Sequence, residues 1–494
     1  MKLLHFFLPR LEYILLIAVF WGIVIGGPRI LNFDGDLPRH ILTGNLILQT
    51  HRVPTTDSFS FRTIGYPSIP HEWLSQVLFA VVYNWLGLDG IVLFTALIIM
   101  LTWGVVYRQA LYKSNSFFSA LIITALGVAT SQIHVLPRPH IYTYLLTAAW
   151  IALLEVVRAG KSQISWTLPV MMLLWVNIHG MFILGLIILS IYLIGDLLEN
   201  PSLTWFNTKA ARSLLIAAGL SLIATFFSPS GSKIWEAIAS LGSNAYITSR
   251  VPEYQSPNFH MPETWPFIVI LLITVIGFAR STKKTSWTDL LMVVSFTGIA
   301  LYTGRLIPLF AIVVTPITAK ALGDWTRSEF PNNRLSFLEE NISRINSTAN
   351  GSIWIFTMVL IAAVLLRSGH ALDAEGRGNV FDQRFFPVEA AAWLEIHPQE
   401  GHMFNHFDWG GYLLLKLWPN YQIFMDGHTH IYGEALTREY EQVVTLDDEW
   451  QKIFKQYNIT WAIIPPDWPL SKELRADGWK IVYQDQTAAI LVIK

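Results

Sequence analysis

The chain contains 494 residues, of which 53% are hydrophobic and only 14% are charged. Its apolar residues form repeated blocks separated by short polar joints, a pattern typical of a polytopic membrane protein. The formal net charge is −1, so no broad basic field is present to bind nucleic acid. The lack of cysteine excludes disulfides, thiolate metal sites and cysteine nucleophiles.

Eleven apolar segments are predicted to cross the membrane as helices. The first is too long for the core of a signal peptide and lacks a convincing small-residue cleavage site, so we expect it to stay attached. The segments lie at about residues 12–30, 90–107, 117–133, 140–157, 165–179, 181–198, 212–228, 265–279, 288–303, 305–321 and 353–367.

A further apolar block, WLSQVLFAVVYNWLG at residues 73–87, is short for a crossing and is interrupted by polar residues. If this block does not cross, the Lys and Arg clusters between the spans all fall on one side, which the positive-inside rule identifies as the cytoplasm. We therefore predict a re-entrant or interfacial helix within a first external loop over residues 31–89. The N-terminus is then cytoplasmic, and the chain after about residue 368 is external.

The predicted membrane module, residues 1–368, includes a polar cytoplasmic linker at 323–352. Residues 369–494 have a different composition, with more Asp, Glu and His, and their apolar runs have the length of strands. We predict a small mixed α/β domain here on the extracytoplasmic side. Its predicted strands are YQIFMDG, ITWAIIPP, WKIVYQD and TAAILVIK, and its predicted helices are FPVEAAAWLEIHP, EALTREYEQVV and EWQKIFKQY.

The first external loop carries the chemistry that the sequence makes most visible. Asp34 and Asp36 follow the first span, and the stretch after them predicts an interfacial helix with His40 on its water-facing side. His71 and Glu72 stand just before the block at 73–87. For the two aspartates the alternative is a capping role at the helix start. For His71 and Glu72 the alternative is that they are only charged residues at the edge of an interfacial helix.

Several motifs give the chain a family resemblance. Its first loop resembles that of the GT-C superfamily, polytopic glycosyltransferases such as protein O-mannosyltransferases, oligosaccharyltransferases and the aminoarabinose transferase. Further motifs are the segments DLPRHILTG, VPTTDSFSF, HEWLSQVLFAVVY, WVNIHGMF, GRLIPLFAI, HFDWGGYLL and IFMDG. They resemble segments of a group of bacterial GT-C-like membrane proteins that carry an extracellular tail.

The resemblance implies a GT-C-like α-helical membrane fold and transfer of a sugar from a polyprenyl-phosphate donor to an acceptor hydroxyl, with inversion. It implies that Asp36 is the catalytic base and that Asp34 assists it, because Asp36 matches the family's external Asp better by position. A carboxylate beside low-dielectric lipid suits the base role, since its pKa can rise toward neutrality. The acceptor would be a glycan, a lipid or a protein.

A lipid-linked phosphate needs cations at the outer membrane face, and the planar guanidinium of Arg matches phosphate oxygens. The predicted topology leaves Arg138, Arg250 and Arg305 as external arginines outside the first loop. We predict that these three bind the donor phosphate. Interfacial anchoring is the alternative reading for each of them.

Other polar residues are candidates for substrate contacts or metal ligands. His71, Glu72, His40, His179 and Glu253 are predicted to bind substrate. For His179 a turn histidine bound to backbone carbonyls is the alternative. Mg²⁺ or Mn²⁺ is an open prediction, because carboxylates suit these ions. The residues that could hold such an ion are Asp34, Asp36 and Glu72.

Two further motifs have weaker readings. Asp57 fits a turn as well as a functional role. Asp426, His428 and His430, in MDGHTHIY, have a spacing that could ligate a metal, but turn chemistry around Gly427 also explains it.

The leading prediction is an integral glycosyltransferase of the plasma membrane, and membrane lipids are its expected surroundings. The alternative is a noncatalytic scaffold that keeps the GT-C fold and serves export or assembly of surface glycans. A transporter is disfavoured, because the spans contain almost no charge at their centres and the chain shows no repeated half.

Overall fold

The computed structural model describes residues 7–243, 245–281, 283–329, 334–370, 372 and 375–494. Most of this part of the chain is helical, and a small sheet lies near the C-terminus. The helices before residue 370 are Leu11–Ile25, Gly27–Asn32, Asp36–Thr50, Trp73–Ser114, Phe117–Ser131, His140–Arg158, Thr167–Ile178, Ile183–Glu199, Lys209–Ala224, Lys233–Ser243, Ala245–Thr248, Trp265–Arg280, Trp287–Tyr302, Ile307–Glu329, Arg334–Thr348 and Ile353–Arg367.

Six helices in the described part of the chain are long and apolar enough to cross a membrane, and a seventh span is possible if one bent pair counts as one. This supports the predicted helical membrane fold, but it does not confirm the count of eleven. The predicted spans at 12–30, 165–179, 212–228 and 288–303 form helices of 12 to 16 residues. These helices are shorter than a full crossing, since about 20 residues are needed to cross the hydrocarbon core.

Residues 73–86 form a helix that runs on into the next predicted span. The two parts are separated only at Gly87, whose φ of 63° and ψ of −155° are not helical. Glycine tolerates this conformation because it has no Cβ. The first part packs on the helix Asp36–Thr50, and a Cβ added at Gly44 would lie 2.0 Å from the carbonyl oxygen of Gln76.

The predicted linker at 323–352 is largely helical. The helix Ile307–Glu329 extends into it, and Arg334–Thr348 forms a further helix. Residues 330–333 of the linker lie outside the described residues. The helical segments Phe337–Thr348 and Ile353–Arg367 meet at 70°.

The last 120 or so residues form a sheet flanked by helices, which we call the tail domain. The strands are β1 His402–Asn405, β2 Ile459–Ile464, β3 Lys480–Gln484 and β4 Ala489–Val492. Their order in the sheet is β1-β2-β4-β3, with β1 parallel to β2 and the other pairs antiparallel. The helices of the tail domain are Val388–Ile396, Gly410–Leu417, Thr429–Thr445, Trp450–Gln456 and Pro469–Ala476.

The strand prediction was wrong for the segment YQIFMDG. Ile423 makes an isolated parallel bridge to Ser60 in the first external loop instead of joining the sheet. The sheet takes β1, at residues 402–405, in its place. Phe59, beside Ser60, is buried in the core of the tail domain and meets the Trp418 ring edge-on at 5.2 Å. The first loop and the tail domain therefore share one hydrophobic core.

Candidate active site

Residues at the ends of several helices meet at one end of the helix bundle. Asp34 follows the helix Gly27–Asn32, and Arg138 precedes His140–Arg158. Arg305 precedes the helix Ile307–Glu329 in the same way. The opposite ends of the bundle have their own ion pairs, in which Lys113 and Lys320 both contact Asp289 at 2.9 Å.

Asp34 and Asp36 both contact Arg138. Two nitrogens of the Arg138 guanidinium, Nε and Nη2, donate to the two carboxylate oxygens of Asp34. Nη2 also lies 2.8 Å from Oδ2 of Asp36. Asp36 is the first residue of the helix Asp36–Thr50, and its backbone N–H donates to Asp34 Oδ1 at 3.3 Å. The N-cap residue is Gly35, so neither aspartate is the N-cap, and Asp34 binds the first helical N–H and Arg138 at once.

Glu253 links this pair of aspartates to a second arginine. Its Oε2 lies 3.5 Å from Arg138 Nη1, and its Oε1 accepts a hydrogen bond from Arg305 Nη1 at 2.9 Å. Arg305 Nη1 also donates to the Tyr254 hydroxyl at 2.7 Å. We call the set of Asp34, Asp36, Arg138, Glu253 and Arg305 the acid–arginine cluster. It contains three carboxylates and two guanidinium groups.

The two aspartates of the cluster differ in acidity. Burial raises the pKa of Asp34, but the Arg138 guanidinium outweighs this and holds the pKa below its usual value. Burial raises the pKa of Asp36, and Arg138 lowers it. The carboxylates of Asp34, Asp426 and Glu253 raise it again, to about 7. Asp34 is therefore a fixed anion near neutral pH, whereas Asp36 can gain and lose a proton.

Glu72 is surrounded by imidazole rings. His179 Nε2 and His71 Nε2 lie 3.6 and 3.7 Å from its Oε1, and His40 Nδ1 lies 4.0 Å from its Oε2. We call Glu72 and these three residues the histidine cluster. His40 is buried beside Gln76, so the prediction that it faces water was wrong. The helical period identified an apolar face, but residues 73–86 cover the side on which His40 lies.

The charge of the histidine cluster comes from Glu72. Burial raises the pKa of Glu72, but the imidazoles of His71 and His40 outweigh this and bring it to about 2. His179 also contacts Thr143 Oγ1 through Nδ1 at 2.8 Å. Glu72 is thus ionised near pH 7.

The three proposed metal ligands do not form one ligand set. Asp34 and Asp36 contact the Arg138 guanidinium, whereas the ionic contacts of Glu72 are with histidines. In the ranges that the structure describes, no group of three or more His, Asp or Glu residues is arranged to hold a metal ion. Dependence on Mg²⁺ or Mn²⁺ stays a prediction.

Arg250 is placed apart from the acid–arginine cluster. Its guanidinium pairs with Glu441 of the helix Thr429–Thr445 at 2.9 Å and stacks on the Tyr246 ring. Its side chain is 46% exposed, compared with 16% for Arg138 and 20% for Arg305. The structure therefore unites two of the three predicted phosphate ligands.

A buried ion network joins the first loop to the tail domain, and sequence reasoning missed it. Arg39 donates to Asp426 through Nη1, and its Nη2 lies 3.2 Å from Asp57 Oδ1. Asp57 also accepts hydrogen bonds from the Ser60 N–H at 3.2 Å and the Thr63 hydroxyl at 2.7 Å, as its turn reading predicted. Asp426 is thus committed to Arg39 and does not form a metal site with the nearby histidines.

Glycines of the motifs HFDWGGYLL and IFMDG lie directly on the first loop. A Cβ at Gly411 would lie 2.3 Å from the carbonyl oxygen of Gly35, and one at Gly427 would lie 2.1 Å from Asp36 Oδ1. The glycines of these two motifs were the sequence signal for this contact, because glycine is used where another group approaches the backbone closely.

The fold and the acid–arginine cluster define a polytopic helical membrane protein with a charged site at one end of its helices. AglB, the oligosaccharyltransferase of Archaeoglobus fulgidus, in complex with an inhibitory peptide and a dolichol-phosphate, is similar to this chain with a TM-score of 0.56 and 12% identity, over 91% of this chain and 69% of its own. An oligosaccharyltransferase of Archaeoglobus fulgidus tethered to an acceptor peptide is similar with a TM-score of 0.53 and 13% identity, over 91% of this chain and 68% of its own.

ArnT from Cupriavidus metallidurans, bound to undecaprenyl phosphate, aligns over 97% of both chains with a TM-score of 0.48 and 13% identity. No protein-family model and no curated protein matches the sequence. Identities this low show a shared fold alone. The likeness to the archaeal structures confirms the GT-C-like fold that the sequence resemblance predicted.

Proposed function

We propose that the chain is an integral membrane glycosyltransferase that moves a sugar from a polyprenyl-phosphate donor to an acceptor hydroxyl, with inversion at the anomeric carbon. The observation that carries this proposal is the acid–arginine cluster. It joins a carboxylate whose pKa is near neutral to two arginines that suit a phosphate. The side chain of Asp36 is 27% exposed, so an acceptor can reach it.

In the proposed reaction Asp36 is the general base. It accepts the proton of the acceptor hydroxyl while the acceptor oxygen attacks the anomeric carbon of the sugar. The bond between this carbon and the phosphate oxygen breaks, and the polyprenyl phosphate leaves with the bonding electrons. One displacement from the opposite face inverts the anomeric centre. Asp34 keeps Arg138 beside Asp36 throughout.

Arg138 and Arg305 are the proposed donor-phosphate ligands. Both contacts of Arg305 in the cluster use Nη1, so among the described residues its other nitrogens remain for phosphate oxygens. A guanidinium suits the leaving group, because negative charge grows on the phosphate as the sugar departs. The binding of dolichol-phosphate by AglB, which shares this fold, supports a polyprenyl-phosphate donor.

The histidine cluster and a neighbouring pocket are proposed to bind the acceptor. The pocket lies between the first loop and the tail domain, and its cavity volume is about 30 Å³, which admits a hydroxyl group of the acceptor. Residues from both sides line it, including Arg39, His71, Glu72 and His428. Carboxylate, imidazole and guanidinium groups can bind the hydroxyls of a glycan, lipid or protein acceptor. We place the site on the outer face of the plasma membrane, with the N-terminus in the cytoplasm.

The proposal is tested by the binding of undecaprenyl phosphate to the purified protein in nanodiscs. Arg305→Gln is expected to weaken binding by about 10- to 100-fold, because it removes charge-assisted hydrogen bonds of about 1.5–3 kcal/mol. Arg280→Gln is the matched control, since Arg280 pairs with Glu329 on the cytoplasmic side of the predicted topology. Equal binding by wild type and Arg305→Gln would refute the phosphate role of Arg305.

The transfer rate is expected to depend on pH through Asp36. Its pKa is about 7, and only the unprotonated carboxylate can accept the acceptor's proton. The rate should therefore rise as pH increases through about 7 and level off above it. A profile of kcat/KM against pH, measured with a panel of polyprenyl-phosphate sugars, checks this. An acidic limb near pH 4, the ordinary range of a carboxyl group, would contradict the base assignment.

Binding of undecaprenyl phosphate without transfer of any sugar in that panel would favour the noncatalytic scaffold.

A further inference from the structure

The tail domain reaches the carboxylate of Asp36 through one glycine. A Cβ added at Gly427 would lie 2.1 Å from Oδ1 of Asp36 and 3.1 Å from its Cγ. Ordinary contacts between such atoms are about 3.5–4 Å. The backbone at Gly427 therefore forms a wall of the space that the carboxylate occupies, and any larger residue there would displace it.

The position of Gly427 is set by the residue before it. Asp426 accepts from Arg39, which is one helical turn after Asp36 on the same helix. The other oxygen of Asp426 accepts from the His428 N–H at 3.1 Å and from the Tyr432 hydroxyl at 3.3 Å. The same helix thus carries both Asp36 and the arginine that holds the glycine against it.

We propose that the tail domain positions the catalytic base, with Gly427 as the wall behind Asp36 and the Arg39–Asp426 pair as the contact that holds this wall in place. The inference rests on the proposed function, in which Asp36 is the base. It assigns the tail domain a part in catalysis, because Asp36 keeps its contact with Arg138 only while this wall remains where it is.

Gly427 differs from the other glycines at this interface in what a side chain would meet. A Cβ at Gly35 would lie 2.2 Å from the carbonyl oxygen of Asp408, and one at Gly411 would lie 2.3 Å from that of Gly35. Both clashes involve backbone, which cannot yield without moving the chain. At Gly427 the clash is with the end of a side chain, which can rotate. Gly427→Ala should therefore displace Asp36 and leave the fold stable.

The experiment compares Gly427→Ala with Gly378→Ala, since a Cβ at Gly378 has open space around it. Gly427→Ala is expected to lower kcat for transfer from polyprenyl-phosphate sugars by about 10- to 100-fold, because displacement of a reacting group by about 1 Å has this effect. KM for the donor and the Tm should stay at wild-type values. Gly378→Ala should match wild type in all three.

A double-mutant cycle separates positioning from general damage. If Gly427 acts through Asp36, adding Gly427→Ala to Asp36→Asn should cause no further loss of rate. Full additivity would overturn the proposal. If Gly427→Ala fails to fold, Tyr432→Phe is the second variant. It removes one hydrogen bond to Asp426 and should lower kcat by a smaller factor, again only when Asp36 is present.

Modification of Asp36 by a water-soluble carbodiimide, followed by mass spectrometry, reports its position without any activity. The labelling rate should change in Gly427→Ala and stay constant in Gly378→Ala. If the wild-type protein transfers no sugar but Gly427→Ala still changes the labelling rate of Asp36, the proposed function is refuted and the positioning role is supported. Unchanged labelling together with unchanged kcat would overturn the positioning role.

Discussion

Asp36→Asn is expected to lower the rate of sugar transfer by roughly 10²–10⁴-fold, the usual contribution of a general base. The amide has nearly the same shape as the carboxylate but cannot accept the acceptor's proton. The loss should fall on kcat, since the proposed phosphate ligands Arg138 and Arg305 remain. Transfer of labelled sugar by the purified variant, measured at pH 8, checks this, because most of the wild-type Asp36 is ionised there.

The matched control is Asp448→Asn, which makes the same chemical change at an exposed position of the tail domain. It should transfer sugar at the wild-type rate. Binding of undecaprenyl phosphate to Asp36→Asn should stay within about twofold of wild type, because this variant keeps both arginines. Transfer by Asp36→Asn at the wild-type rate would remove the base role from Asp36 and with it the proposed mechanism.

Arg39→Gln is expected to destabilise the protein by about 3–5 kcal/mol, the range found when one partner of a buried ion pair is removed. Its guanidinium contacts two buried carboxylates, Asp57 and Asp426, which would then face each other without a cation. Side chains of all three residues are at most 6% exposed. The lost stability should appear as a lower Tm in detergent. The first loop and the tail domain should also be cleaved faster by proteases, because their shared interface opens more often.

Lys452→Gln is the control for this destabilisation. Lys452 pairs with Glu449 one turn away on an exposed helix face, where an ion pair contributes little. We expect no measurable change in its Tm. A Tm of Arg39→Gln equal to that of wild type would show that the buried network does not hold the tail domain on the first loop.

Several parts of the site could be predicted from the sequence because they follow from local patterns. Asp36 precedes an amphipathic segment, so its place at a helix start was visible from the periodicity. Arg138 and Arg305 precede apolar segments, and this identified them as residues at the membrane surface. Three helices of the tail domain were predicted for the same reason, whereas Gly410–Leu417 and Pro469–Ala476 were not predicted. None of these patterns states which helix ends meet.

The errors have a common physical origin in contacts between distant segments. YQIFMDG has the composition of a strand, but its Ile423 pairs with the first loop because Phe59 of that loop is buried in the tail domain. His40 lies on the polar side of its helix, yet a second helix covers it. Arg250 is an external arginine in the predicted topology, as Arg138 and Arg305 are. In the structure it pairs with Glu441 and lies outside the acid–arginine cluster.

The sequence by itself determined that this is a helical membrane protein with a charged first loop, because hydrophobic length and charge bias are properties of the chain alone. Only the tertiary structure decided that Arg138 holds both aspartates and that Gly427 lies against Asp36. These contacts join residues about 100 to 390 positions apart, and side-chain packing selects them. The acidity of Asp36 depends on that packing, since burial and neighbouring charges raise its pKa to about 7.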